Sequence, residues 1–132
     1  MKPMIATITK IENVGSLHVV SFDFFGEVLK MMSLDLSDEV KVEKEVELTI
    51  KPTHLVVTKA FSGNVSVTNM LQAKVISCEN GRLLSVIEVS VKEAVLESIM
   101  IVEASLDMDL KVDDEVSIMI AESELSIAKV LS

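Results

Sequence analysis

Apolar and polar residues alternate with a period of two along most of the chain. Over residues 4–11, Ile5, Thr7, Thr9 and Ile11 fall on one side and Ala6, Ile8 and Lys10 on the other, the spacing of a β-strand. Asn13-Val14-Gly15-Ser16 reads as a turn. It leads into a strand over residues 17–25, with Val20, Phe22 and Phe24 on one face, and Gly26 reverses the chain into a third strand over 27–32. Residues 33–40 mix Ser, Asp and Glu with Leu34, Leu36 and Val40, and read as a short helix or a single 3₁₀ turn. A charged turn over 41–45 precedes a strictly alternating strand over 45–51, and after Pro52 a last strand is predicted over 54–59.

The second half runs through the same order. Strands are predicted over 71–78, 83–92 and 94–102, with an Asn-Gly turn over 79–82. A short helical or irregular piece over 103–110, a charged turn over 111–115 and strands over 116–121 and 125–130 follow. Val46 and Val116, Ile50 and Ile120, and Leu55 and Leu125 are each 70 positions apart, whereas Ile8 and Val75, and Asn13 and Asn80, are 67 apart. The sharpest match sets Val42-x-x-Glu45-Val46 against Val112-x-x-Glu115-Val116. Such spacing is the mark of an internal duplication. The expected fold is all-β: two tandem five-stranded Greek-key barrels of the OB-fold-like type, each with a short helical insertion, with room for the units to exchange strands. Residues 1–60 form the first repeat, 61–69 a linker and candidate anion-binding loop, and 70–132 the second repeat.

Composition narrows this picture. The chain has 132 residues, 49% hydrophobic, with aromatics at 3% and neither Trp nor Tyr, so Val, Ile, Leu and Met make the core; the scattered methionines read as filler. Units of about 60 residues bury a modest share of their surface, which predicts packing between units and a homo-oligomer. A formal charge of −9 argues against nucleic acid and anionic membranes as partners; a nucleic-acid-binding barrel would also need exposed aromatic platforms and a basic groove. The single cysteine, Cys78, lies in a strand pattern and reads as a buried thiol. No run of about 18 apolar residues and no signal-peptide pattern is found, and a cytoplasmic location is expected. His18 and His54 occupy unrelated positions with no second ligand at metal spacing. Asp38-Glu39 and Asp113-Asp114-Glu115 read as solvated turns rather than calcium loops. No catalytic set is recognisable, so no enzyme is expected.

The midpoint, Ser66-Val67-Thr68-Asn69, carries the chemistry. Ser, Thr and Asn in a non-helical loop present main-chain and side-chain donors together. Each charge-assisted bond to an anion is worth about 1.5–3 kcal/mol. The same residues also make an ordinary turn at the start of a strand.

The pattern Ile50-Lys51-Pro52, Leu55, Ser66, Asn69, Leu71 and Val75 resembles the TOBE or molybdopterin-binding-protein (Mop) family, whose members include small molybdate- and tungstate-binding proteins of one or two repeats. The resemblance implies a molybdate or tungstate oxyanion as ligand and association of double-repeat chains, trimers first and dimers second. Ser66, Thr68 and Asn69 fall on the family's Ser-x-Arg-Asn loop, with Thr68 in place of an arginine that acts mostly through its main chain. Lys51 falls on the family's lysine, whereas the second repeat has Ala121 there, and Ser33 and Ser105 are the nearest matches to a further Ser or Thr. The first repeat has no equivalent of the loop, since the chain opens Met1-Lys2-Pro3-Met4. The expected site is therefore the Ser66–Asn69 loop approached by Lys51 from another repeat or subunit, because a seven-residue strand between them would span roughly 20 Å. The alternative is a regulatory or interaction module that keeps the scaffold and has lost the ligand.

Overall fold

The computed structural model describes residues 2–132. Ten strands dominate: β1 Met4–Val14, β2 Leu17–Phe24, β3 Glu27–Ser33, β4 Glu45–Thr49, β5 Val56–Thr58, β6 Asn69–Asn80, β7 Leu84–Val91, β8 Ala94–Ile101, β9 Glu115–Ile120 and β10 Ser126–Val130. They form two five-stranded antiparallel sheets, in the orders β10-β4-β1-β2-β3 and β5-β9-β6-β7-β8. The predicted alternation decides which face is buried. Met4, Ala6 and Ile8 on β1, Val46 and Leu48 on β4, and Ile87, Val89 and Val91 on β7 all point into one continuous core, as period two requires when one sheet face is covered.

The two sheets exchange their last strands. β10 lies against β4 of the first half, pairing Ile127 with Leu48 and Val130 with Val46. β5 lies against β9 of the second half, pairing Val57 with Ile118. Two landmarks recur at the spacings read in the sequence. Ile8 exchanges backbone hydrogen bonds with Glu43 and Lys44 (2.7 and 2.9 Å), and Val75 does the same with Asp113 and Asp114 (2.8 and 2.9 Å). A register shift follows each, between Ile8 and Lys10 and between Val75 and Ser77. Glu43 and Asp113 both have φ of 77°, a left-handed conformation that the tight charged turn imposes despite the side chain.

Four local expectations are corrected. Residues 34–40 form no helix: Ser33 Oγ donates to the Asp35 carbonyl (2.6 Å) and Ser37 Oγ accepts from the Glu39 N–H (3.2 Å), side-chain bonds that compete with a helix. The second half does form one, α1, Val102–Asp107. The strand expected over 54–59 is replaced by a 3₁₀ turn, Pro52–His54, and the three residues of β5; at about 3.3 Å per residue β5 spans only about 10 Å, so no seven-residue strand lies between Lys51 and Ser66. Asn80-Gly81 does not make a two-residue turn. Asn80 stays in β6, its side-chain oxygen accepting from Ser85 Oγ (2.7 Å) and Ser105 Oγ (2.8 Å), and the Gly81 N–H closes the loop on the Leu84 carbonyl (2.8 Å). Cys78 is half-buried rather than buried, with Sγ 3.5 Å from the Leu110 carbonyl.

Candidate functional site

The start of β6 brings the midpoint loop against two other elements. Asn69 pairs with Ile120 at the end of β9, so residues 66–68 run beside the turn that joins β9 to β10. Asn69 is 1% exposed. Its Oδ1 accepts from the Lys30 N–H and its Nδ2 donates to the Lys30 carbonyl, both at 2.7 Å. Asn69 therefore fastens the second sheet to β3 of the first, and its side chain is committed to that link. A buried amide needs partners for both ends, and a strand backbone supplies one donor and one acceptor at the required spacing.

Thr68 is exposed, and both its donors converge on one oxygen. Its N–H lies 2.7 Å and its Oγ1 2.5 Å from Oε2 of Glu122. Partial burial works to raise the Glu122 pKa, but the side-chain and backbone hydrogen bonds from Thr68, together with one from Glu122's own backbone, outweigh it and hold the carboxyl below its ordinary value. The Glu122 carbonyl accepts from the Met32 N–H (2.9 Å), so the turn is pinned to β3 as Asn69 is. No Lys, Arg or His among the described residues forms an ion pair with Glu122. The loop thus binds a negative charge with hydroxyl and main-chain donors alone.

The other predicted residues stand apart from this contact. Ser66 is exposed, in a bend two residues ahead of Thr68. Lys51 is exposed; its carbonyl closes the 3₁₀ turn by accepting from the His54 N–H (2.8 Å), and its ammonium makes no hydrogen bond among the described residues. Ile50 and Pro52, on either side of it, line a cavity of about 250 Å³ with Lys2 and Pro3 at the start of the chain. The Lys51 turn and the Glu122 turn do meet, through His54 Nδ1 and Glu124 Oε2 at 2.7 Å. Ser33 shares a cavity of about 590 Å³ with Leu36, Ile127 and Ser123 and makes no bond to the Thr68 loop. Ser105 is buried in α1 and bonded to Asn80.

Two charged features escaped the sequence reading. Glu122 was one: extending the β6–β9 register two residues past Asn69 and Ile120 brings it beside the loop, but that register is a pairing between residues some 50 positions apart. Lys59 was the other. Its ammonium donates to the carbonyls of Met108 and Asp109 (3.0 and 2.9 Å) and to Asp114 Oδ2 (3.0 Å). The Lys59 hydrogen bond holds the Asp114 carboxyl below its ordinary range, so Asp114 is a paired group rather than a freely solvated one. Among the described residues no cluster of three or more His, Cys, Asp and Glu is placed to hold a metal ion, and no helix is long and apolar enough to cross a membrane.

No protein-family model matches the sequence, and no curated protein sequence matches it. Among solved structures the chain is similar to the cytoplasmic molybdate-binding protein ModG, in a crystal form grown from PEG with molybdate bound. The TM-score is 0.87 at 19% sequence identity, over 95% of this chain and 93% of that one. A likeness this complete at so low an identity establishes the shared fold.

Proposed function

We propose that the protein is a non-enzymatic, cytoplasmic binder of a tetrahedral oxyanion, molybdate or tungstate, which it stores, buffers or senses. One observation carries the reading: the N–H and hydroxyl of Thr68 already converge on a single anionic oxygen, as a receptor for an oxyanion must. The fold shared with a protein solved with molybdate bound supports it. On this reading the chain is two tandem TOBE/Mop-type units with OB-like barrels, with boundaries near residues 60 and 70, and the copies associate, as trimers first and dimers second. Ser66, Thr68 and the main chain of Asn69 supply donors, and Lys51, exposed and without a partner among the described residues, supplies the charge from a neighbouring unit or copy. Ser33 and Ser105 are not needed for it.

A second reading, a scaffold that has lost its ligand, draws on specific observations. The Asn69 side chain is committed to Lys30, Ser105 to Asn80, and Ala121 lacks the charge of Lys51. Calorimetric titration with molybdate, tungstate and sulfate separates the two; with no Trp or Tyr in the chain, intrinsic fluorescence offers no signal. Saturation at a hundredfold excess over Kd stabilises a folded protein by about 2.7 kcal/mol, a rise in Tm of about 10 °C for a chain of this size. Lys51→Ala and Ser66→Ala are expected to weaken that rise and leave the protein folded. Absence of heat and of any Tm change with all three anions would establish the second reading.

A further inference from the structure

Resting on the oxyanion reading, we propose that Glu122 is a tethered competitor for the ligand: its carboxylate sits on the Thr68 donors and must leave before a free oxyanion takes them. Oε2 of Glu122 receives both bonds, from the Thr68 N–H at 2.7 Å and Oγ1 at 2.5 Å. That is the geometry an oxygen of a tetrahedral anion would adopt on the same pair. The two anions cannot share the donors, because each donor carries one hydrogen toward one oxygen.

The surroundings make the carboxylate displaceable. Its main chain is held by the bond from the Met32 N–H to the Glu122 carbonyl, so the turn stays in place when the side chain leaves. Glu122 is only half-buried and Thr68 is exposed, which gives the side chain open solvent to rotate into. No cation among the described residues anchors it through an ion pair. Seventy positions earlier the corresponding residue is Pro52, which has no charge. The competing carboxylate is therefore a feature of the β9–β10 turn and does not recur at that position in the first half.

A tethered group competes as a ligand at an effective concentration of about millimolar order. The apparent affinity for the free anion falls by the fraction of molecules whose donors are free. The effect is a threshold: the site ignores weak monoanions and yields to a dianion that makes stronger charge-assisted bonds. If the carboxylate is displaced in about one molecule in ten, its removal tightens binding about tenfold.

The test is titration of the full chain with sodium molybdate and sodium tungstate, by calorimetry and equilibrium dialysis, at fixed pH and ionic strength. Four proteins are compared: the parent, Glu122→Gln, Glu122→Ala and Glu124→Gln. Glu124 lies in the same turn and its substitution changes the net charge equally; it makes no bond to Thr68, and a glutamine oxygen in its place still accepts from His54 Nδ1–H, which keeps the contact with the Lys51 turn. Circular dichroism checks that each variant keeps its strand signal; if Glu122→Ala does not, Glu122→Gln decides. The expected order is parent weakest, Glu122→Gln tighter and Glu122→Ala tightest by about tenfold, with Glu124→Gln equal to the parent. A parent that does not bind beside a Glu122 variant that does would overturn displacement, since the carboxylate would then hold the donors permanently. A parent that binds beside Glu122 variants no tighter would overturn this inference alone. So would an equal gain in Glu124→Gln, which would trace the effect to net charge. If neither parent nor variants bind either anion, the oxyanion reading falls and this inference falls with it.

Discussion

Replacing Asn69 with alanine distinguishes a structural role from a ligand-binding one. The side chain is 1% exposed and makes two 2.7 Å hydrogen bonds to the backbone of Lys30, one as acceptor and one as donor. Each such bond contributes about 0.5–1.5 kcal/mol net, and a donor or acceptor left without a partner costs about 1–3 kcal/mol. Lys30 is only partly buried, so water relieves some of the second cost. Together these give a loss of about 2–4 kcal/mol. That is a large fraction of the roughly 5–15 kcal/mol that holds a domain folded. For a chain of this length it lowers Tm by about 7–15 °C, and with a mid-range urea slope of about 2 kcal/mol/M it moves the midpoint by about 1–2 M. The assay is urea and thermal unfolding followed by far-ultraviolet circular dichroism. Asn69→Asp should be at least as damaging, because it keeps the acceptor but turns a carboxylate oxygen toward the Lys30 carbonyl. An Asn69→Ala protein within about 0.5 kcal/mol of the parent would refute the reasoning and return Asn69 to the ligand.

Four further outcomes are expected. Fragments 1–60 and 61–132, made separately, should lack cooperative unfolding and should recover strand signal when mixed, since β10 completes the first sheet and β5 the second; a cooperative transition in 1–60 alone would contradict this. Asp113→Gly should stabilise by about 0.5–1 kcal/mol, because φ is 77° and the side chain is exposed beside Lys74, while Asp113→Val should destabilise; the reverse order in thermal melts would count against strain there. Gly81→Ala should cost about 1–3 kcal/mol, because a Cβ would lie 2.8 Å from the Leu84 carbonyl oxygen; an unchanged urea midpoint would show that the loop gives way. The Glu122 carboxyl has a lowered pKa when folded, so its contribution is full above the unfolded value of about 4.3 and is lost as pH falls through the lower folded value. The stabilities of the parent and Glu122→Gln should therefore draw together on acidification, and a gap that stays constant with pH would show that the Thr68 bonds do not set it.

The strands were legible in the sequence because their signal is local. The alternation that marked Ile87, Val89 and Val91, or Val46 and Leu48, is the alternation that buries them, since side chains on a pleated strand point to opposite faces whatever the partner. The matches at 67 and 70 positions likewise mark real landmarks, the paired bonds of Ile8 and Val75 and the left-handed Glu43 and Asp113. Which sheet a strand joins was another matter. β5 has three residues and takes its partner from β9, about 60 positions on, pairing Thr58 with Ser117. Nothing in a three-residue segment specifies that neighbour; the shape of the whole core does. The site divides in the same way. Residue types predicted donors at Ser66, Thr68 and Asn69, but a Ser, Thr or Asn serves a ligand, a turn or another strand with the same groups. Only the docking of β6 against β3 and the β9–β10 turn committed Asn69 to Lys30 and set Thr68 on Glu122, because a hydrogen bond is decided by which atoms the fold brings within about 3 Å and not by the residue that carries them.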